Sequence, residues 1–165
     1  MKARTVLKIV FTAAIVFLLI VIFIMSAKPA NESADMSLSV DIGLCRLFRW
    51  DFDRLSEEEQ LKVASEIDHF VRKSAHFLEF TALGALFCAD FLLFDLKWFK
   101  CLIFAFLSGA ATAVSDEIHQ SFVPGRSCEI TDMLLDSSGV LVGCLLSLLI
   151  FFIIANIKKK RSKTA

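Results

Sequence analysis

The segment from residue 137 to residue 157, SSGVLVGCLLSLLIFFIIANI, contains 21 consecutive residues without a charge. A helix needs about 20 predominantly apolar residues to cross the hydrocarbon core of a bilayer, so this segment predicts a transmembrane helix. The segment from residue 9 to residue 27, IVFTAAIVFLLIVIFIMSA, has 19 uncharged residues and predicts another. It is longer than the roughly 7–15 apolar residues of a cleaved signal peptide. We therefore expect residues 1–27 to form an uncleaved membrane anchor helix.

Two weaker apolar segments lie between these two. The uncharged run between Lys100 and Asp116 has 15 residues, and the block 74–94 is interrupted by Glu79 and Asp90. The chain is 56% hydrophobic, against about 45–50% for an average soluble domain, and it leaves little soluble sequence that could bury these blocks. The sequence therefore predicts an all-α integral membrane protein with four transmembrane helices in a compact bundle.

The connection before the second span contains a further helical signal. Ser56 followed by Glu59 matches a capping box, which begins a helix. Apolar residues then recur at helical spacing from Leu61 to Leu78. We expect an amphipathic helix that runs along the outer surface and enters the membrane near Lys73.

The formal net charge of zero results from 18 basic and 18 acidic residues, and these are unevenly distributed. Basic residues cluster at the N-terminus, in the turn between the second and third spans, and at the C-terminus, namely Lys2, Arg4, Lys8, Lys97, Lys100, Lys158, Lys159, Lys160, Arg161 and Lys163. By the positive-inside rule these segments are cytoplasmic, which predicts a multi-pass protein with both termini in the cytoplasm. Four regions follow: the anchor 1–27, an extracytoplasmic segment 28–69 with the amphipathic helix, a membrane region 70–157 and a basic tail 158–165.

Ionisable and polar residues collect at the outer ends of the last three spans. Such residues are expensive inside a membrane and by default indicate function. The candidates are Lys73, His76, Glu79, Asp116, Gln120, Arg126, Asp132 and Asp136. We expect Arg72, His69, Glu117 and Glu129 to be merely solvated.

Small residues predict how the spans pack. Gly139 and Gly143 form a Gly-x-x-x-Gly pattern, which allows close contact between membrane helices. Close packing of this face would turn Asp116 and Asp136 toward the bundle interior. Arg126 ends the segment Val-Pro-Gly-Arg, which suits a type II turn with Pro at the second position and Gly at the third.

Three segments resemble the VanZ-like family of bacterial membrane proteins: RKSAHFLEFTALG at 72–84, SDEIHQSFVPGR at 115–126, and DMLLDSSGVLVG at 132–143. The resemblance covers roughly residues 70–155, and Phe80 stands where the family often has tyrosine. It implies location in a bacterial cell membrane. The family takes its name from a protein linked to low-level resistance to the glycopeptide teicoplanin. Its polar signature corresponds here to Lys73, His76, Glu79, Asp116, Glu117, Gln120, Arg126, Asp132 and Asp136.

Two functions are compatible with these residues. The first is an enzyme that acts on a phospholipid headgroup or a lipid-linked envelope precursor. His76 or Glu79 would be the general base, and Asp116 would orient His76 or share a proton with Asp136. Lys73, Gln120, Arg126 and Asp132 would bind the substrate. The alternative is a non-catalytic lipid-binding or membrane-organising module, in which the polar cluster is structural.

Cofactor and partner expectations follow from the same residues. Two pairs of residues at helical spacing could supply nitrogen and oxygen ligands to a metal ion, namely His76 with Glu79 and Asp116 with His119. The sequence contains no three-ligand spacing typical of a metal site. We therefore assign no metal or other cofactor, with a divalent metal as the alternative. The expected partners are membrane lipids or a lipid-linked precursor, and no motif supports nucleic-acid binding. A bridge between Cys45 and Cys128 and the oligomeric state stay open.

Overall fold

The structure is a computed structural model that describes the backbone of residues 2–164 and the side chains of residues 3–162. The side chains of Lys2 and Lys163, which belong to the predicted basic clusters, lie outside the described residues. Five helices account for most of this range: α1 (Lys2–Ser26), α2 (Ala30–Phe48), α3 (Glu57–Phe91), α4 (Trp98–Gln120) and α5 (Ile130–Thr164). Short 3₁₀ turns occupy Phe52–Arg54 and Leu92–Phe94, and the described range contains no strand.

Four of these helical segments are long and apolar enough to cross a membrane. They are Ala3–Ser26, Glu57–Phe94, Trp98–Gln120 and Ile130–Ser162. Large apolar side chains on them remain exposed, for example Phe17 at 68% and Leu145 at 50%. Such exposure is expected where lipid rather than protein covers the helix. The predicted all-α membrane fold with four spans is confirmed.

The predicted capping box begins α3. The Ser56 hydroxyl accepts from the Glu59 backbone N–H at 3.4 Å, and the Glu59 carboxylate accepts from the Ser56 backbone N–H at 2.9 Å. The helix then continues for 35 residues, or about 52 Å at 1.5 Å per residue. This length exceeds the roughly 30 Å of a bilayer core. The amphipathic segment and the second span are therefore one continuous helix.

The sequence reading missed α2. This helix follows Pro29 and packs against α3, with Asp41 and Cys45 on its buried side. A hydrogen bond from the Ser37 hydroxyl to the Asp68 carboxylate links the two helices. The sequence did contain a signal for this helix, because the apolar residues Ala34, Leu38 and Ile42 recur at intervals of four. All three are partly buried in the structure.

Glycines bring α3 and α5 into the most extensive contact of the bundle. A Cβ atom at Gly143 would overlap the backbone of Thr81 and Ala85, and one at Gly84 would overlap the backbone of Val140. A Cβ at Gly139 would lie 2.6 Å from the Phe77 carbonyl oxygen. The predicted close packing of the Gly-x-x-x-Gly face is confirmed. It brings one face of α5 against α3, and Asp136 lies one turn before Gly139 on that helix.

The N-terminal end of α1 contacts the turn between α3 and α4. Arg4 forms an ion pair with Asp95 at 2.7 Å, and the Lys8 ammonium lies 3.7 Å from the centre of the Phe94 ring. Partly buried Asp90 lies on the same part of α3, and its Oδ1 has no hydrogen-bond partner among the described residues. Helix α5 runs from the opposite end of the bundle toward this one, so the basic C-terminal segment ends here too.

Candidate functional site

A polar cavity of about 230 Å³ opens where α3, α4 and α5 meet, at the end of the bundle opposite Arg4 and Asp95. The lining side chains come from the three helices, from the first residue of α2 and from the connection between α4 and α5. They are Ala30, His69, Arg72, Lys73, His76, Glu117, Gln120, Gly125, Arg126, Ser127, Glu129, Asp132, Leu135 and Asp136. Of the eight residues predicted to form a site, six line this cavity.

A tight turn after α4 positions Arg126. Gly125 has φ 77°, and the Arg126 N–H donates to the Val123 carbonyl at 3.2 Å. Positive φ at the third position defines a type II turn and favours glycine there. The Pro124 carbonyl accepts from the Ala30 N–H at 3.3 Å, which fastens the turn to the start of α2. The predicted type II turn is confirmed.

Arg126 carries a positive charge that bonds only to neutral groups. Its Nη1 donates to the Gln120 side-chain oxygen at 2.9 Å, and its Nε donates to the Lys28 carbonyl at 3.0 Å. It makes no ion pair within 4 Å of any described residue. Burial lowers the pKa of Arg126 and the nearby Arg72 lowers it further, while Asp116 and Glu117 raise it. Arginine nevertheless stays protonated, so this cavity-lining side chain carries a charge without an ion-pair partner within 4 Å among the described residues and has three N–H donors left.

Lys73 and Asp132, both predicted to bind substrate, pair with each other. The Lys73 ammonium lies 2.5 Å from Asp132 Oδ1 and 3.7 Å from Glu129 Oε2. The side chains of Lys73 and Asp132 are 29% and 27% exposed. Lys73 is therefore largely neutralised by the start of α5, and Arg126 is the better placed cation for a ligand.

Asp116 lies behind the cavity in a hydrogen-bonded chain. Its Oδ2 accepts from the Ser26 hydroxyl at 2.9 Å and from the Gln120 amide at 2.7 Å. Gln120 in turn accepts from Arg126. The chain connects the end of α1, the end of α4 and the following turn. Sequence reasoning missed Ser26, which is fully buried and which no local pattern marks.

His76 and Asp136 occupy the floor of the cavity with unused polar atoms. Asp136 is 2% exposed, and neither its Oδ1 nor Nδ1 of His76 has a hydrogen-bond partner among the described residues. Each such buried polar atom costs about 1–3 kcal/mol. Atoms of His76, Asp116 and Asp136 that could bind a metal ion all lie within 4.8 Å of one another. The structure thus joins three of the four candidate catalytic residues.

Glu79 stands apart from this group. Its Oε2 lies 3.7 Å from Nδ1 of His76, which is too far for a hydrogen bond. Glu79 is not among the described residues that line the cavity. Of the two predicted general bases, His76 lines the cavity and Glu79 does not, among the residues that the structure describes.

Glu117 was expected to be solvated, and this prediction is wrong. The residue is 3% exposed, and its Oε2 accepts from the Glu129 N–H at 3.0 Å. The connection before α5 folds over the end of α4 and covers it. Arg72 is also only partly exposed and pairs with Asp68 at 2.8 Å. His69 and Glu129 are exposed, but both line the cavity, and Glu129 lies 3.7 Å from the Lys73 ammonium.

Two other sequence suggestions have clear outcomes. His119 stacks on Phe23 with ring centres 4.5 Å apart and is not part of the group formed by Asp116. All five cysteines are free thiols, with Cys45 buried and Cys128 exposed, so the structure contains no bridge between them.

Four membrane-length helices, three of which line a charged cavity at one end of the bundle, define a multi-span membrane protein. The chain belongs to the VanZ/LLP1 family, whose family model matches residues 11–152. The match begins within α1, and therefore extends beyond the three spans that carry the recognised motifs. Comparison with curated proteins and with solved structures found no match.

Proposed function

We propose that this protein binds the phosphate group of an anionic lipid headgroup, or of a lipid-linked cell-envelope precursor, in the cavity between α3, α4 and α5. The observation that carries the proposal is Arg126, whose charge has no carboxylate partner within 4 Å in the described chain. A guanidinium binds phosphate through parallel N–H donors. The buried Nε of Arg72 has no partner among the described residues either and lines the same cavity.

The position of the cavity favours a lipid as the source of that phosphate. The spans flank the cavity, and one of them, α5, begins at Ile130, two residues before the lining residue Asp132. Phosphate groups of lipids lie at this level of a bilayer, just outside the hydrocarbon core. A lipid could therefore present its headgroup to Arg126 without leaving the membrane.

The orientation that we propose puts the cavity at the outer leaflet of a bacterial cell membrane. The basic residues Arg4 and Lys8 and the basic end of α5 lie at the other end of the bundle. The positive-inside rule assigns that end to the cytoplasm, with both termini. Precursors of the cell wall are exposed at the outer leaflet, so a change in their handling is how we propose that the protein influences susceptibility to teicoplanin-type glycopeptides.

A catalytic form of the proposal is supported by the floor of the cavity. Nδ1 of His76 and Oδ1 of Asp136 are buried there without a hydrogen-bond partner among the described residues, which destabilises the fold. Ionisable groups held in this way are typical of sites that act on a ligand. In this form, five neighbouring residues support or orient the groups that contact the phosphate, namely Glu79, Asp116, Gln120, Lys73 and Asp132.

A non-catalytic form is favoured by a different observation. Side-chain hydrogen bonds from Ser26 through Asp116 and Gln120 to Arg126 connect three parts of the fold. In this form the polar cluster stabilises the bundle and the cavity only holds a lipid. Asp116→Asn and His76→Gln distinguish the two, since they retain shape and remove charge or proton exchange.

Binding is tested by titrating the purified full chain in detergent with a short-chain phosphatidylglycerol. A charge-assisted hydrogen bond contributes about 1.5–3 kcal/mol, so Arg126→Gln should weaken binding about 10- to 100-fold. Arg46→Gln is the matched control, because Arg46 is an exposed arginine on α2 that pairs with Asp53 away from the cavity. Equal affinity of the Arg126 variant and the control would contradict the proposal.

Catalysis is tested by incubating the same preparation with phosphatidylglycerol and with a polyprenyl diphosphate and measuring product. The catalytic form predicts a product that disappears in His76→Gln and Asp116→Asn while lipid binding and membrane level persist. Binding without product from the unmodified chain would support the non-catalytic form.

A further inference from the structure

We infer that His76, Asp116 and Asp136 bind one divalent transition-metal ion at the floor of the cavity. The three residues come from α3, α4 and α5 respectively. Their potential ligand atoms lie within 4.8 Å of one another. Ligand atoms about 2.1 Å from a tetrahedral ion are about 3.4 Å apart. Side-chain rotations that move the ligand atoms by about an ångström would therefore bring them to bonding distance from one ion.

The ligand types suit a metal site with a vacant position. One imidazole nitrogen with two carboxylate oxygens is a donor set for zinc or manganese. Three protein ligands leave a further position for water or substrate. His76 and Asp136 line the cavity, so that position faces the space in which we propose that phosphate binds.

A second observation, independent of the clustering, indicates that a cation belongs here. Asp136 is 2% exposed, and its Oδ1 has no hydrogen-bond partner in the described chain. Buried carboxylates are normally paired or bind a metal ion. Nδ1 of His76 is likewise buried and unpaired, and a ring nitrogen of His76 is one of the three clustered ligand atoms.

The surroundings of Asp116 resemble those of a supported metal ligand. The hydrogen bonds from Ser26 and Gln120 both reach Oδ2, which leaves Oδ1 for the ion. Hydrogen bonds of this kind orient carboxylate ligands in metal sites.

Charge balance connects the ion to the phosphate. The cavity lining has three cationic side chains against four carboxylates, namely Arg72, Lys73 and Arg126 against Glu117, Glu129, Asp132 and Asp136. A phosphate would enter an acidic cavity. With the proposed ligand Asp116 included, five carboxylates stand against three cations, and a bound divalent ion would neutralise this excess of two negative charges. This part of the inference rests on the proposed phosphate binding.

Metal binding is tested on the full chain in detergent, treated with EDTA, dialysed and titrated with Mn²⁺ under electron paramagnetic resonance. We expect one Mn²⁺ per chain, with a nitrogen coupling from imidazole that His76→Gln removes. Asp136→Asn should weaken Mn²⁺ binding at least 30-fold, by about 2 kcal/mol. Competition with Zn²⁺ at the same site is expected.

Glu117→Gln is the matched control, because it removes one buried carboxylate charge from the same cavity. We expect this variant to retain Mn²⁺ affinity within about threefold of the unmodified chain. Equal weakening by Asp136→Asn and Glu117→Gln would show general electrostatic attraction and overturn the inference. Thermal melting verifies that each variant is folded, and Asp136→Glu provides a second ligand-position variant that retains the charge.

The same preparations separate this inference from the proposed function. Phosphatidylglycerol binding that depends on Arg126 but not on Mn²⁺ would overturn the metal site and leave the proposed function intact. Saturable Mn²⁺ binding with lipid binding that is insensitive to Arg126→Gln would do the reverse. Lipid binding that depends on both supports both.

Discussion

Gly143→Ala tests the contact between α3 and α5 that holds the site together. The added Cβ would overlap the Thr81 carbonyl oxygen and lie 2.7 Å from the Ala85 nitrogen. Both neighbours are helical backbone, so the two helices must move apart. Overpacking costs about 1–3 kcal/mol, and backbone neighbours favour the upper value. Alanine recovers about 1 kcal/mol of helix propensity, which leaves a net destabilisation of about 2 kcal/mol.

The assay is thermal unfolding of the purified chain in detergent, followed by tryptophan fluorescence. A change of 1 kcal/mol shifts the melting temperature by about 2–4 °C in a chain of this size, so Gly143→Ala should melt about 4–8 °C lower. Gly43→Ala is the matched control, because Gly43 is also helical but has no atom within 4 Å of an added Cβ. It should melt slightly higher. A melting temperature of Gly143→Ala at or above that of the unmodified chain would refute the packing argument.

Three further predictions concern other parts of the chain. Cys128 is exposed and Cys45 is buried, and burial raises the pKa of the Cys45 thiol. A membrane-impermeant maleimide added to intact cells should therefore label Cys128 alone. Labelling that occurs only after lysis would place Cys128 in the cytoplasm and contradict the proposed orientation. Burial and nearby Asp68 raise the pKa of Asp41, so this carboxyl should make folding less favourable as pH rises above about 4. The melting temperature of Asp41→Asn should therefore fall less than that of the unmodified chain as pH rises, and parallel curves for the two proteins would contradict this prediction. Ser26→Ala removes a buried donor to a carboxylate and should cost about 1.5–3 kcal/mol in thermal unfolding, whereas an unchanged melting temperature would show that this bond is not important for stability.

Local signals predicted much of the fold. Apolar blocks predicted the spans, although Glu79 and Asp90 interrupt the second one. The capping box at Ser56 and the turn at Gly125 were confirmed because each depends on neighbouring residues. The spacing of Gly139 and Gly143 predicted the packed face of α5, since one helix face is determined by sequence periodicity.

The features that sequence reasoning missed depend on contacts between distant segments. Ser26 and Asp116 are 90 residues apart, and nothing near either residue indicates their hydrogen bond. Glu117 is buried by the connection that follows α4, while its helical position alone is compatible with exposure. The group of His76, Asp116 and Asp136 has no metal-site spacing because each residue comes from a different helix.

The most direct test of phosphate binding in the cavity is the distance between Arg126 and the phosphorus of a bound lipid. Solid-state NMR of the ¹⁵N-arginine-labelled chain with phosphatidylglycerol measures it, with Arg126→Gln to assign the signal. We predict a nitrogen to phosphorus distance of about 4 Å, as in a phosphate held by a guanidinium, and its disappearance in the variant. Contact between the phosphorus and other arginines, with none at Arg126, would contradict the proposed function.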